Sequence, residues 1–341
     1  MTRGIEFDEI IDVRSPSEFA EDHISGAVNR PVLNDLERTE IGTIYKQVSA
    51  FDARKKGAAM VSRNIAAHIE NSFIDRGKDY KPLIYCWRGG HRSESMATVL
   101  SDIGWRVYFL EGGYRTYRRH VIAEIERRIV LLDLVVLNGF TGAGKTLILK
   151  ELRDQGEQIL ELEGLARHKG SVFGGDPDNP QPAQKRFESM LYDRIISYDP
   201  SRPVYVEAES AKIGKLNLPN PIWQKMKESR VIELSSPLAC RAEYLTNDYK
   251  EWLSDLDRIE NTIDRLKGFH SDKLLLRWKD MARSRQWTEL TASLLEEHYD
   301  RRYRPEKEKS HFQKPSQRVE ITRHDQSNLK ACAEMIRSFR I

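Results

Sequence analysis

The chain has 341 residues, 39% of them hydrophobic, with 55 Lys+Arg against 52 Asp+Glu. That is apolar material for two ordinary cores, and nearly cancelling charge with 6 Trp and 13 Tyr excludes a disordered polyelectrolyte. Three cysteines, odd and sparse, exclude a disulfide scaffold and suit a reducing cytoplasm.

From the N-terminus, MTRGIEFDEI lacks the apolar core of a signal peptide, and Phe7–Val13 reads as a short strand. Ser15-Pro16-Ser17-Glu18 has the form of a capping box with Pro at the first helical position, so a helix begins there. Val32–Ile74 is mostly helical and charged, an insertion or lid. Pro82–Tyr85 is a buried-strand candidate, followed by a glycine loop and a helix over Ser93–Ile103 closed by Gly104. Trp105–Leu110 is the next strand, and Gly112-Gly113 turns the chain into a helix through about Arg128. Leu131–Leu137 is a strand; Ile129–Leu137 is too short, and too broken by Asp133, to span a membrane. Gly139–Thr146 is a loop and Leu147–Arg153 a helix ending near Gly156. Further strands are expected at Gln158–Leu162, Pro203–Glu207 and Arg230–Leu234, with a loop over Gly174–Pro182 and helix beyond Ser236. Short strands alternating with helices predict an α/β chain with doubly wound parallel sheets. The expected domains are 1–125, with the helical insertion at about 32–74, and 126–341, which ends in a helical region.

Two loops carry chemistry. Cys86 lies between a strand and a helix N-terminus, where unpaired amides and the helix dipole favour an anion. Gly89 and Gly90 let successive amides curl inward, and Arg88, His91, Arg92 and Ser93 complete an anion cradle. Such surroundings depress a thiol pKa, so Cys86 is the candidate nucleophile, with Arg88 and Arg92 as its cationic partners. Cys240 and Cys332 fall in helical stretches and read as structural. The second loop, Gly139-Phe140-Thr141-Gly142-Ala143-Gly144-Lys145-Thr146, fits G-x-x-x-x-G-K-[ST] between a strand and a helix. Gly139, Thr141, Gly142, Ala143 and Gly144 would cradle a di- or triphosphate, with Lys145 on the outer oxygens and Thr146 able to ligate Mg²⁺. Glu207, and after it Glu209, are candidates for the metal-side carboxylate or a general acid/base.

Residues 1–125 carry 18 basic and 18 acidic side chains, so the +3 net charge lies in the remainder, and any cationic surface is a local patch. Tyr114–Arg119, Arg127-Arg128 and Tyr299–Arg304 interleave aromatics with Arg. Arg115, Arg118, Arg119, Arg301 and Arg302 are candidates to grip RNA phosphates while neighbouring rings stack on bases.

The first half resembles the rhodanese family. The resemblance rests on Ile11–Phe19 (IDVRSPSEF), His23–Asn29 (HISGAVN), the Cys86–Ser93 loop and Leu110-Glu111-Gly112-Gly113-Tyr114. It implies a rhodanese-like sheet and a chalcogen carried on Cys86. Five residues separate Cys86 from Arg92, a wider cradle than single-domain sulfurtransferases use and nearer that of rhodanese-like phosphatases, which carry His where Tyr85 stands. Fused to a P-loop domain, the whole is similar to the bacterial tRNA 2-selenouridine synthase family. Further matches are Arg38–Lys46, Leu162–Ser171 with Phe173-Gly174, Gln181-Pro182, Phe187-Glu188, Val206–Ser210 and Ile213-Gly214; Lys169 stands where that family has Arg. The resemblance implies an enzyme that converts 2-thiouridine to 2-selenouridine at U34 of the tRNAs for Lys, Glu and Gln. S-geranylation from geranyl diphosphate comes first, and selenation from selenophosphate through an S-selanyl Cys86 follows. The anticodon arm of tRNA is the implied macromolecular partner. No haem, flavin, zinc or membrane partner is expected, and a monomer is. Two rival readings are a nucleotide-hydrolysing regulator with a non-catalytic rhodanese module and a phosphatase–kinase fusion.

Overall fold

A computed structural model describes residues 6–171, 174–175, 179–250, 252–303 and 312–339, without the side chains of Trp252, Arg302 and Tyr303. Phe173, Arg304 and residues 176–178 of the Gly174–Pro182 loop therefore lie outside the described residues. The chain forms two compact units, Met1–Ile125 with Pro182–Ile196, and Glu126–Gln181 with Ser197–Ile341.

The first unit runs β1 (Glu9–Asp12), α1 (Pro16–Glu21), β2 (Ala27–Asn29), a helical hairpin of α2 (Asp35–Gln47) and α3 (Ala50–His68), β3 (Pro82–Tyr85), α4 (His91–Ile103), β4 (Tyr108–Phe109) and α5 (Gly113–Ile129). Its strands form a parallel sheet in the order β2-β1-β3-β4. Every residue of β3 is buried, as a central parallel strand requires, and Ile11, Ile84, Met96, Leu100 and Phe73 fill the core. The Glu18 carboxylate accepts from the Ser15 amide, which starts α1 where the sequence places it. Helix α4 begins two residues earlier than expected, at His91, because Gly90 takes the N-cap position.

The second unit continues with β5 (Asp133–Asn138), α6 (Lys145–Asp154), β6 (Gln158–Leu160) and α7 (Leu162–Ala166). After α8 (Gln184–Ser197) come β7 (Pro203–Glu207), an antiparallel pair β8 (Lys212–Ile213) and β9 (Leu216–Asn217), α9 (Asn220–Glu228) and β10 (Arg230–Ser235). A helical region follows: α10 (Leu238–Asp248), α11 (Leu256–Asp264), α12 (Asp272–Arg283), α13 (Trp287–Leu294) and α14 (Asp300–Tyr303). The chain closes with β11 (Gln317–Glu320) and α15 (Gln326–Ser338). The parallel sheet has the order β11-β10-β5-β7-β6, with the P-loop strand β5 in the middle. The architecture is thus the expected one, two parallel α/β sheets, with a correction: the chain beyond Ser236 is not helical throughout, since β11 returns to the sheet edge.

Helix α8 is sequence-distant from the first unit yet packs within it. Asp22, fully buried, accepts from the Tyr114 hydroxyl at 2.8 Å and the Ser189 hydroxyl at 2.9 Å. Arg118 donates to the Lys185 carbonyl and Ser189 Oγ, each at 3.2 Å, and pairs with Glu188. A buried carboxylate must be satisfied by hydrogen bonds, and α8 brings some of those partners. A single boundary between residues 125 and 126 therefore leaves Pro182–Ile196 on the wrong side.

Candidate functional site

Cys86 follows β3 directly, and its residue is 3% exposed. The loop is fixed by its carbonyls: the Tyr114 amide donates to Cys86 O at 2.8 Å and the Arg115 amide to Trp87 O at 3.2 Å. With those oxygens held by the start of α5, amides turn toward the sulfur. Gly90 N lies 3.3 Å and Ser93 Oγ 3.2 Å from Sγ. Burial pushes the thiol pKa up, but the Ser93 hydroxyl and the Arg88, Ser93 and Gly90 amides outweigh it, leaving Cys86 below the ordinary thiol value. Gly113 is what allows the close approach. Its φ is +59°, and a Cβ there would sit 2.3 Å from Cys86 O and 2.6 Å from Gly89 N.

The cations of the cradle are placed differently from the sequence expectation. Arg92 is drawn to Glu18, with Nη1 2.6 Å from Oε2 and Nη2 3.3 Å from Oε1, so its charge is balanced by a partly buried carboxylate that Arg92 holds below its usual pKa against the cost of burial. His91 is 98% exposed and faces Glu94 at 3.3 Å. Arg88 contributes its amide, while its side chain is exposed. Anion stabilisation at Cys86 comes from backbone amides and Ser93, and not from guanidinium contact. Cys332 is buried with its thiol pushed up, and Cys240 donates to the Thr322 carbonyl at 3.0 Å.

In the second unit, β5 delivers the chain into the P-loop and Lys145 opens α6. A Cβ on Gly139 would meet Leu234 O of β10 at 2.5 Å, and Gly142 and Gly144 have φ of +78° and +90°, so three loop positions demand glycine. Lys145 Nζ donates to Gly139 O at 3.1 Å, which holds the ammonium over the loop. Thr146 Oγ1 lies 3.4 Å from both Glu207 Oε2 and Glu163 Oε2. Glu207 in turn accepts from the Glu163 amide at 2.8 Å. Burial and the neighbouring Glu163 push the Glu207 carboxyl up to about 8, and burial and Glu163 also push Glu209 well above the carboxylate range. No linear motif marks Glu163; its position at the start of α7, just beyond β6, is the one signal the sequence carries for it. Among the described residues no group of three or more His, Cys, Asp or Glu is arranged to hold a metal ion. The oxygen donors Thr146 and Glu207 nevertheless suit Mg²⁺, which binds through one or two protein groups and takes its other ligands from phosphate and water.

A cavity of about 340 Å³ opens over the loop, with Lys145, Thr146, Glu163, His168, Glu209 and Tyr249 in its wall. A second, apolar slot of about 90 Å³ shares Thr141, Ser171, Leu245 and Tyr249 with it and runs between Leu253, Ile259, Trp287, Leu290, Leu294 and Leu295. Arg241 braces this junction, donating to Thr141 O at 3.1 Å and pairing with Asp300 at 2.7 Å. On the loop's other flank His324 and Ile321 approach within 3.2 Å of the Gly144 Cβ position, and His324 lies against Tyr244 with ring centroids 4.8 Å apart.

The expected RNA patches separate. Tyr114 and Tyr117 are 1% and 3% exposed, core residues that cannot stack on bases, and Arg118 is committed to Glu188 and Asp22. Arg115 and Arg119 remain exposed one turn apart on α5. Arg301 pairs with Glu297 at 2.5 Å, and the Arg302 side chain lies outside the described residues.

The model of the rhodanese-like domain family matches residues 2–120, and that of the tRNA 2-selenouridine synthase AAA domain matches residues 132–271. A tRNA 2-selenouridine synthase of Nitrosomonas europaea is 37% identical over 244 residues, 70% of this chain and 63% of that protein. One of Bdellovibrio bacteriovorus is 36% identical over 250 residues, 70% of this chain and 64% of the relative. One of Marinobacter nauticus is 33% identical over 276 residues, 76% of this chain and 74% of the relative. The chain thus spans a little under two thirds of the length of the first two of these relatives and about three quarters of the third.

Proposed function

The chain belongs to the tRNA 2-selenouridine synthase family, and on that premise we propose that it is a transferase exchanging the sulfur of 2-thiouridine for selenium in tRNA. The target is the wobble uridine, U34, of the tRNAs for Lys, Glu and Gln, approached through the anticodon arm. Two sites divide the chemistry.

In the first step the P-loop holds the diphosphate of geranyl diphosphate. The 2-thio sulfur bonds to C1 of the geranyl group, and the C–O bond to diphosphate breaks with its electron pair. Lys145 and the loop amides stabilise the leaving charge, and Glu209, in the cavity wall, takes the N3 proton. A Mg²⁺ at Thr146, with Glu207 behind it, would screen the diphosphate. The single observation that carries this step is the apolar slot joined to the phosphate cavity. A nucleotide base needs hydrogen-bonding partners, whereas a wall of Leu, Ile and Trp suits a hydrocarbon tail.

In the second step the Cys86 thiolate attacks the selenium of selenophosphate. The S–Se bond forms as the Se–P bond breaks with its electron pair on phosphorus, which leaves as phosphite, so that Cys86 carries a selanyl group. A bare thiocarbonyl sulfur is a poor leaving group, but the S-geranyl centre is electrophilic. Selenium adds to C2 and geranylthiolate leaves with the C–S pair. A second thiol then attacks the Cys86 sulfur, the S–Se pair stays on selenium to give 2-selenouridine, and the two sulfurs are left as a disulfide. The amide cradle and Ser93 support Cys86 in this role, because they hold a thiolate or a terminal chalcogen anion equally well.

Nucleoside mass analysis of 2-thiouridine tRNA incubated with the protein, geranyl diphosphate and selenophosphate tests the reading. Geranylated and then selenated uridine is expected. Absence of both, with tRNA-independent nucleotide hydrolysis in their place, would establish the regulator reading.

A further inference from the structure

We propose that the turn of the α2–α3 hairpin is a docking surface for unpaired bases of the RNA substrate. The proposal rests on the functional reading above and adds where the RNA is held. The two helices are joined by Val48 and Ser49 alone, and Ser49 Oγ caps α3 by accepting from the Phe51 and Asp52 amides at 3.2 Å each. The seam between the helices is made by small residues: Ala53 and Gly57 are buried, and Ile41 packs 3.6 Å from the Cβ position of Gly57.

Three large apolar side chains at the turn take no part in that seam. Tyr45, Val48 and Phe51 are 61%, 73% and 64% exposed, although folding alone would favour polar residues there. Their neighbours are cationic. Residues 44–58 carry Lys46, Arg54, Lys55 and Lys56 against a single acid, Asp52. Lys55 pairs with Asp52 at 2.7 Å while its Nζ sits 4.9 Å from the Phe51 ring centroid, and neither Lys46 nor Arg54 has a carboxylate partner among the described residues. Lys56 is paired with Glu40.

Exposed ring faces flanked by ammonium and guanidinium groups match a single-stranded nucleic acid, whose bases stack while its phosphates meet the cations. The patch is short and local, as suits a loop of a few nucleotides. It also supplies the stacking aromatics that Tyr114 and Tyr117, being buried, cannot provide.

The test is binding of an unmodified tRNA(Lys) transcript to the full chain by fluorescence anisotropy over a salt series. Cys86 alkylation rate and thermal melting are followed as controls of integrity. The double variant Tyr45→Ala/Phe51→Ala should bind roughly tenfold or more weakly with an unchanged salt slope. Lys46→Glu/Arg54→Glu should weaken binding and reduce the slope of log K against log salt by about two. Phe51→Trp, which keeps a stacking face, should retain affinity. Wild-type binding by both double variants would overturn this proposal and leave the functional reading standing. A wild-type chain that does not bind tRNA would overturn both.

Discussion

Replacing Ser93 by Ala tests how Cys86 is made reactive. The Ser93 hydroxyl lies 3.2 Å from Sγ and 3.0 Å from the Gly90 carbonyl, so one proton serves two acceptors. When the sulfur is a thiolate the proton is drawn to it, a hydrogen bond to a charged acceptor worth about 1.5–3 kcal/mol. Sharing with Gly90 and retention of the Gly90, Arg88 and Ser93 amides place the loss at the lower end. At 1.4 kcal/mol per factor of ten, the thiolate population at neutral pH should fall roughly tenfold. The assay is the rate of iodoacetamide alkylation at Cys86 across pH, followed by peptide mass, with Cys332 as the buried internal comparator. The variant profile should move to higher pH while the plateau rate at alkaline pH is preserved. An unchanged profile would refute the hydrogen-bonded cradle as the source of reactivity. A lowered plateau would show that the substitution blocks access and does not act on the proton.

Glu207 sets a pH dependence in the second unit. Its carboxyl is pushed up to about 8 from 4.5, so the folded chain binds that proton more tightly than the unfolded chain does. Stability from this group is therefore complete below about pH 4.5 and declines as pH rises toward 8. Glu207→Gln should raise the melting temperature at pH 8 and flatten this dependence, and added Mg²⁺ should stabilise the wild type more than the variant. Gly113→Ala should cost at least about 1–2 kcal/mol in denaturant unfolding, from the φ of +59° alone, and should slow Cys86 alkylation as the loop shifts. Leu290→Ala should enlarge the apolar slot, costing about 2–5 kcal/mol of stability, and should increase turnover of a C15 prenyl diphosphate relative to geranyl diphosphate. Unchanged chain-length preference would remove the slot from the geranyl step.

Both chemical loops were legible because each is local. The order strand, glycine loop, helix is written in consecutive residues at Cys86–Ser93 and Gly139–Thr146, and the structure places both loops at the ends of buried strands. What could not be read depends on pairings far apart in the chain. The commitment of Arg92 to Glu18 crosses 74 residues, and that of Arg118 to Glu188 crosses 70. The burial of Tyr114 and Tyr117 follows from the fold around Asp22, whereas their sequence pattern with Arg resembles an exposed patch. Edge strand β11 (QRVE) has one buried apolar residue, Val319, and so no alternation strong enough to separate it from the helical region before it. The apolar slot draws on α10, α11 and α13, and no linear motif unites them.

The division of labour between the two sites is the central claim, and one paired measurement tests it most directly. 2-Thiouridine tRNA is incubated with geranyl diphosphate and selenophosphate and either Cys86→Ser or Lys145→Ala, and its nucleosides are resolved by mass. Cys86→Ser should accumulate S-geranyl-2-thiouridine with no 2-selenouridine, while Lys145→Ala should leave 2-thiouridine ungeranylated. Equal loss of both products in Cys86→Ser, or undiminished geranylation in Lys145→Ala, would contradict the account.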